Sequence, residues 1–219
     1  MRKSGILMHI TSLPGPYGLG TMGKAAYDFV DFLAAAGQSI WQILPLTPTG
    51  YGDSPYQSCS AFAGNDYLID LPTLQQEGLL EPGEPEGFSW GQDPGRADFG
   101  LLYQSRRKVL ALAYARFRPE EDYEAFCREN AHWLGDYALY MTLKDKFQGL
   151  PWYRWEEPLK HREPEALWQL RQSLGKKLDF YKFTPKRRAL PFWGMCPFMC
   201  PWTPARFGAI RSFSSWTRT

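Results

Sequence analysis

Four cysteines and three histidines among 219 residues leave little material for a disulfide framework or a metal cluster. The cysteines are scattered, unlike the dense pattern of small secreted domains. The closest pair, Cys196 and Cys200, has no second Cys/His pair at ligand spacing, and Pro197 and Pro201 stiffen the run. No metal is therefore expected. No stretch approaches the ~20 apolar residues of a membrane span, so a membrane is not an expected partner. Met1 to His9 carries basic residues but no apolar core or small-residue cleavage site, which gives a cytoplasmic expectation. Acidic residues are missing altogether from Pro185 onward, where six basic residues stand alone; the preceding segment carries 19 basic and 23 acidic residues. So abrupt a change in composition marks a boundary.

Aromatic residues are abundant, at 16%, with nine Trp. Gly5–Leu13 reads as a first strand, and Ser39–Leu46 as a second. Between them Ala26, Phe29, Val30 and Leu33 recur at helical spacing over Met22–Ala36, with Thr21 as N-cap and Gly37 as terminator. Strand, helix and strand with short connections form one βαβ unit with parallel strands. Trp41 opens the second strand and reads as core. Ser60–Gly64 suggests a helical turn. Asp70 caps a short helix over Thr73–Glu77, opened by Pro72 and stopped by Gly78. Glu81–Gly95 lacks periodicity and reads as an exposed loop. Three helical patterns follow: Leu101 to Phe117, Pro119 to Met141, and one opened by Pro164 that carries Leu167, Leu170, Leu174, Leu178 and Tyr181. Their apolar and aromatic stripes read as core.

The stretch from Gly50 to Asn65 is the centre of the functional reading. It leaves an apolar strand, is broken by two glycines and a proline, and must be a loop. Loops at the C-terminal ends of parallel strands carry the sites of α/β barrels. This one holds Tyr51, Asp53, Ser54, Tyr56, Gln57 and Asn65. Flat rings can cover the C–H face of a pyranose while short polar groups fix its hydroxyls. A solvated turn with tyrosines packed on its rim has the same composition.

Two blocks decide between these readings by resemblance. His9-Ile10-Thr11-Ser12-Leu13-Pro14-Gly15-Pro16-Tyr17-Gly18-Leu19-Gly20, and Trp41 to Asp70 with Leu44-Pro45-Leu46-x-Pro48-Thr49-Gly50-Tyr51-Gly52-Asp53-Ser54-Pro55-Tyr56-Gln57, resemble the amylomaltase (4-α-glucanotransferase) family. The resemblance runs from about Gly5 to about Thr184 and includes Leu150-Pro151-Trp152-Tyr153-Arg154-Trp155, a turn packed by aromatics. Asp66 departs from the proline that most relatives carry after the asparagine, which puts the tightness of that turn in doubt. The resemblance implies an α/β fold: the N-terminal fragment of a (β/α)8 TIM barrel with an α-helical insertion subdomain. Residues 1–71 would be the first βαβ unit with its substrate loop, 72–184 the helical insertion, and 185–219 an aberrant tail. A complete barrel takes about 250 residues.

Beyond Thr184 the resemblance stops. When each codon's third base is read with the next codon's first two, Met195–Cys196 and Met199–Cys200 are forced to Val, and Trp202–Thr203 and Trp216–Thr217 to Asp. Allowed choices elsewhere give GDVPIYVPLDS, which is similar to the family's next strand and loop. A frame change near Pro185 is therefore expected. A nucleic-acid-binding role for the basic tail becomes unnecessary, because the shifted reading explains its composition.

The family implies α-1,4-glucan as substrate, a retaining double displacement through a glycosyl-enzyme, and no cofactor. The reacting carboxylates belong to later strands, so no residue here is assigned as catalytic. Tyr56 reads as the principal substrate contact, with Ser54, Gln57 and Asn65 as supporting polar candidates, and Asp53 either caps the loop or touches a sugar hydroxyl. His9 reads equally as a hydroxyl contact or a structural residue. Tyr51 and Tyr103 could present rings to a glucan away from the reaction centre, or simply pack on the rim. This chain alone is expected to be inactive, poorly stable and prone to aggregate. The alternative is a non-catalytic glucan-binding or interaction module.

Overall fold

The computed structural model describes residues 3–50, 52–93, 95–188 and 200–201. Strand β1 (Gly5–Leu7) pairs in parallel with β2 (Ile40–Gln42), with Gly5 opposite Ile40 and Leu7 opposite Gln42. A Cβ at position 5 would lie 2.4 Å from the Ile40 carbonyl oxygen, so only glycine permits this approach. Both strands are shorter than their apolar runs suggest. Beyond Met8 the chain winds into a 3-10 turn, Ile10–Ser12, in which the Ser12 N–H donates to the His9 carbonyl. Beyond Gln42, Pro45 and Pro48 lack the N–H that a ladder needs. Trp41 is half-buried, set edge-on to Phe29 at 5.0 Å, and its indole N–H donates to the Met8 carbonyl at 2.8 Å. A two-residue strand, β3 (Cys200–Pro201), pairs antiparallel with β2.

Helix α1 (Lys24–Ala35) lies between the two parallel strands. Gly23 caps it rather than Thr21, whose hydroxyl instead donates to the Asp70 carboxylate at 2.5 Å. Gly37 ends the helix as expected, at φ +69°, with closing bonds from Gly37 N to Ala34 O and from Gln38 N to Leu33 O. Asp70 also caps α2 (Leu71–Gln76), accepting from the Thr73 N–H at 3.0 Å and the Thr73 hydroxyl at 2.7 Å. One carboxylate thus holds the beginnings of two helices. Under the strands, Ile10, Leu13, Ile43, Leu46 and Leu68 form one core.

The rest is helical: α3 (Phe99–Arg116), α4 (Glu121–Glu129), α5 (Ala131–Lys146), α6 (Glu157–Lys160) and α7 (Pro164–Arg188). The expected single helix from Pro119 to Met141 is broken at Asn130. The Asn130 amide donates to the Phe126 carbonyl, and its oxygen accepts the Trp133 indole N–H. Such local side-chain bonds compete with helix continuation. Helix α7 bends at Leu174 and runs through Pro185, so the expected boundary near 184 falls inside a helix. Leu71, Leu74, Val109, Ala113, Phe117 and Phe183 make a second core between α2, α3 and α7. Ala138, Leu143, Trp155, Leu159, Leu170 and Leu178 make a third around α5 and α7. The Leu150–Trp155 turn is packed by aromatics as expected: Trp155 is buried against Phe147 and Tyr140, although Trp152 and Tyr153 are exposed. Apart from β3, the tail after Arg188, with the expected frame change, lies outside the described residues.

Candidate functional site

Leu46 marks the neck of the candidate loop. Its carbonyl accepts the Asn65 N–H at 2.8 Å, so the segment between them leaves and rejoins the scaffold at one point. Within it Thr49 and Ser58 form an antiparallel bridge, and the Gly50 N–H donates to the Gln57 carbonyl at 3.1 Å. Two tight turns complete the hairpin. The first brings the Asp53 N–H to the Gly50 carbonyl at 3.2 Å. The second brings the Gln57 N–H to the Ser54 carbonyl at 3.1 Å across Pro55. Gly52 and Asp53 both take left-handed backbone, at φ +86° and +54°. Glycine does so freely, and aspartate is one of the few other residues that tolerates it.

Tyr56 sits at the second turn, 67% exposed. The Ser54 hydroxyl accepts the Tyr56 N–H at 3.3 Å, which ties the residue that presents the ring to a local turn. Gln57 is exposed beside it. Asp53 is half-buried; burial pushes its carboxyl above the ordinary range, against a weak bond from the Thr49 hydroxyl at 3.5 Å. Asn65 is buried. Its side-chain oxygen caps the 3-10 turn Asp66–Leu68 by accepting the Tyr67 N–H at 3.0 Å, so the turn closes with Asp66 in place of proline. In this position Asn65 shapes the loop neck. His9 caps the Ile10–Ser12 turn at the end of β1 and is half-buried. Tyr51 lies outside the described residues. Tyr103, on α3, is 56% exposed, with the Arg107 guanidinium 4.9 Å over its ring. Burial raises the pKa of the Tyr67 hydroxyl, with Asp66 and Asp53 adding to the effect.

Ser60–Gly64, expected as a helical turn, is a bend instead. The Ser60 hydroxyl accepts the N–H groups of Phe62 and Ala63 at 3.2 and 3.0 Å, and the Ser58 hydroxyl accepts that of Ser60. This bend carries a residue that the sequence reading passed over. Phe62 is 65% exposed, stacked on Trp133 at 5.9 Å and edge-on to His132 at 5.6 Å. The loop is thereby fastened to α5, with a second contact between the Cys59 and Met141 sulfurs at 3.8 Å. Trp133 belongs to the apolar stripe expected as core; beside the break at Asn130 it stacks on Phe62 of the loop instead.

Arg106 was also missed. It is fully buried in α3 and donates to the backbone carbonyls of Ile69 and Asp66, fixing the segment after the loop from below. Burial lowers its pKa to about 10, with Asp66 and Asp70 opposing, so the side chain stays charged at neutral pH. An arginine pair inside the apolar rhythm of Leu102 and Val109 was the available signal. Among its described residues the closed hairpin presents one exposed tyrosine ring, Tyr56, with a second exposed ring at Phe62 and polar groups alongside. Among the described residues no group of three or more His, Cys, Asp and Glu side chains could hold a metal ion, and no helix is long and apolar enough to cross a membrane.

A family model described as 4-alpha-glucanotransferase matches residues 8–186. A 4-alpha-glucanotransferase from Thermus thermophilus is 50% identical over 192 residues, covering 84% of this chain and 37% of the relative. One from Streptococcus pneumoniae serotype 4 is 46% identical over 187 residues, covering 84% of this chain and again 37% of the relative. The solved amylomaltase from Streptococcus agalactiae in complex with acarbose superposes with a TM-score of 0.81 at 43% identity, covering 85% of this chain and 39% of that one. The chain thus spans little more than a third of the relatives it matches.

Proposed function

The chain belongs to the 4-alpha-glucanotransferase family, and from that premise we propose that it forms one wall of an α-1,4-glucan cleft. In this reading residues 1–71 are the first βαβ unit of a (β/α)8 barrel, 72–184 the helical insertion, and 185–219 an aberrant tail. The parent activity is transfer of α-1,4-glucan segments between maltooligosaccharides by a retaining double displacement in the cytoplasm. A carboxylate attacks the anomeric carbon while a second carboxylic acid protonates the leaving oxygen. An acceptor hydroxyl then displaces the enzyme from the glycosyl intermediate. Those acids come from later strands, and this chain assigns none. Asp53 is held in a left-handed turn with its carboxyl bonded to the Thr49 hydroxyl, which suits a hydroxyl-binding group better than a nucleophile.

The observation that carries the proposal is the presentation of Tyr56. Its neighbours are committed to holding the turn, while its ring stands out from the hairpin. Stacking such a ring on a pyranose contributes roughly 1 kcal/mol, with further gain from the exposed amide of Gln57. The test is a titration of the full chain with acarbose, followed by intrinsic fluorescence. Binding that weakens about fivefold or more in Tyr56→Ala supports the proposal. Binding equal in both, or absent from the folded chain, overturns it. Incubation of the chain with maltotriose should leave chain lengths unchanged on chromatography. Redistribution would show that the reacting acids lie in this chain after all.

A further inference from the structure

A cleft of about 1170 Å³ opens between α3, α4, α5 and α7, lined by none of the loop residues above. It is large enough for a small organic molecule. Its lining includes Phe180, Leu134 and the small residues Ala111, Ala115, Ala131 and Gly135. At Gly135 an added Cβ would meet nothing within 4 Å. Aromatic rings stand in fixed pairs along the wall, with Tyr114 edge-on to Phe180 at 5.8 Å and Tyr123 edge-on to Phe117 at 5.0 Å.

The charges around the cleft are lopsided. Six cationic side chains line it, against only two carboxylates. Both carboxylates are already occupied. Asp145 is held by Arg107 at 2.7 Å, Lys177 at 3.0 Å and the Tyr181 hydroxyl at 2.6 Å, and Asp179 by Lys182 at 2.9 Å. Lys108, Arg118 and Lys176 remain without a carboxylate partner among the described residues; Arg118 reaches only backbone carbonyls, those of Ala115 and Phe117. Yet the segment up to Thr184 carries more acids than bases. Gathering uncompensated cations at a ring-lined cleft, in a segment of the opposite overall sign, creates a focused positive potential.

We propose that this cleft binds a phosphate monoester carried on a ring, with the phosphate held by Lys108, Arg118 and Lys176 and the ring laid against Tyr114, Tyr123 and Phe180. A carboxylate would bring one charge to three cations, whereas a phosphate monoester brings about −1.5 to −2 at neutral pH and three acceptor oxygens. Two sources share this chemistry, a hexose phosphate and a nucleoside monophosphate.

The experiment is calorimetric titration of the full chain with glucose 6-phosphate, with AMP and with inorganic phosphate in separate arms. At least one ring phosphate should bind more tightly than inorganic phosphate. A preference for the first assigns a sugar phosphate, a preference for the second a nucleotide, and parity a site that reads only ring and charge. Two variants locate the binding. The double change Lys108→Glu and Lys176→Glu alters exposed side chains and should weaken binding about tenfold or more. Gly135→Leu fills the cleft from a helical position that gains propensity, and should abolish binding with helical circular dichroism intact. If that variant lost its helix signal, the lysine double variant would decide. The proposal is overturned if neither ring phosphate binds, if inorganic phosphate binds as tightly as both, or if the lysine variant binds like the parent.

Discussion

Asp145 offers the most stringent test of how the helical part is held together. Its carboxylate, with only 16% of the side chain exposed, receives Arg107 from α3, Lys177 from α7 and the Tyr181 hydroxyl from α7. Burial alone would raise its pKa; Arg107, the Tyr181 hydroxyl and Lys177 outweigh burial and leave it below the ordinary 3.8. Removing one member of a well-buried ion pair costs about 3–5 kcal/mol. Here Arg107 keeps 27% of its side chain exposed and Lys177 42%, so solvent screens part of that, and Asp145→Asn should cost about 2 kcal/mol. The asparagine oxygen can still accept the Tyr181 hydroxyl. Urea unfolding followed by far-ultraviolet circular dichroism measures the loss. Because the folded pKa lies below the unfolded one, the carboxylate's contribution is full above the unfolded value and disappears as pH falls through the folded value. The gap between parent and variant should therefore be widest near neutrality, begin to narrow below about pH 4 and close only once pH has fallen below the folded value. A variant within about 0.5 kcal/mol of the parent at neutral pH would refute the reasoning, as would a gap that persists undiminished in acid.

Asp70→Ala removes the α2 cap and the partner of Thr21 together and should cost about 2–3 kcal/mol; Asp70→Asn, still able to cap, should cost about 1. Urea midpoints separate the two, and equal losses would deny the capping role. Phe62→Ala gives up two ring contacts on α5, about 1 kcal/mol of loop docking, and should speed amide exchange at Gly50 and Gln57 roughly fivefold without touching amides inside α3. Asp53→Val places a β-branched residue at φ +54° and should destabilise the hairpin by about 1–2 kcal/mol, read from the same exchange experiment.

The sequence was informative wherever one local signal dominated. Gly37 ended its helix, Asp70 capped the next, and Pro164 opened the last, because caps and terminators act over a single turn. The long apolar runs were read less well. Ile10 and Leu13 are buried as the pattern says, but they belong to a 3-10 turn, since burial does not reveal which backbone form delivers it. Thr21 failed as a cap because its hydroxyl is taken by Asp70, 49 positions away, and no window around Thr21 contains that competitor. In the loop, residue types alone could not divide labour between Ser54, which ties the turn, and Tyr56, which the turn displays. Phe62 and Trp133 were invisible as a pair, because their stacking depends on the interruption at Asn130. Arg106 escaped notice because a buried guanidinium on a helix is read from its acceptors, and those are main-chain carbonyls with no side-chain signature.

The neck at Leu46 and Asn65 has a consequence for how such a protein can change. A segment whose two feet are pinned side by side transmits little of its own length or shape to what lies beneath it. Residues of the hairpin tip between Thr49 and Ser58 could be exchanged, added or removed while the strands and helices stayed in register. The hairpin proposed to meet the ligand is thus joined to the folded body at that neck and, through Phe62 and Cys59, on α5. If the proposed function holds, a graft of a relative's segment between the same two anchor points carries that relative's sugar preference with it.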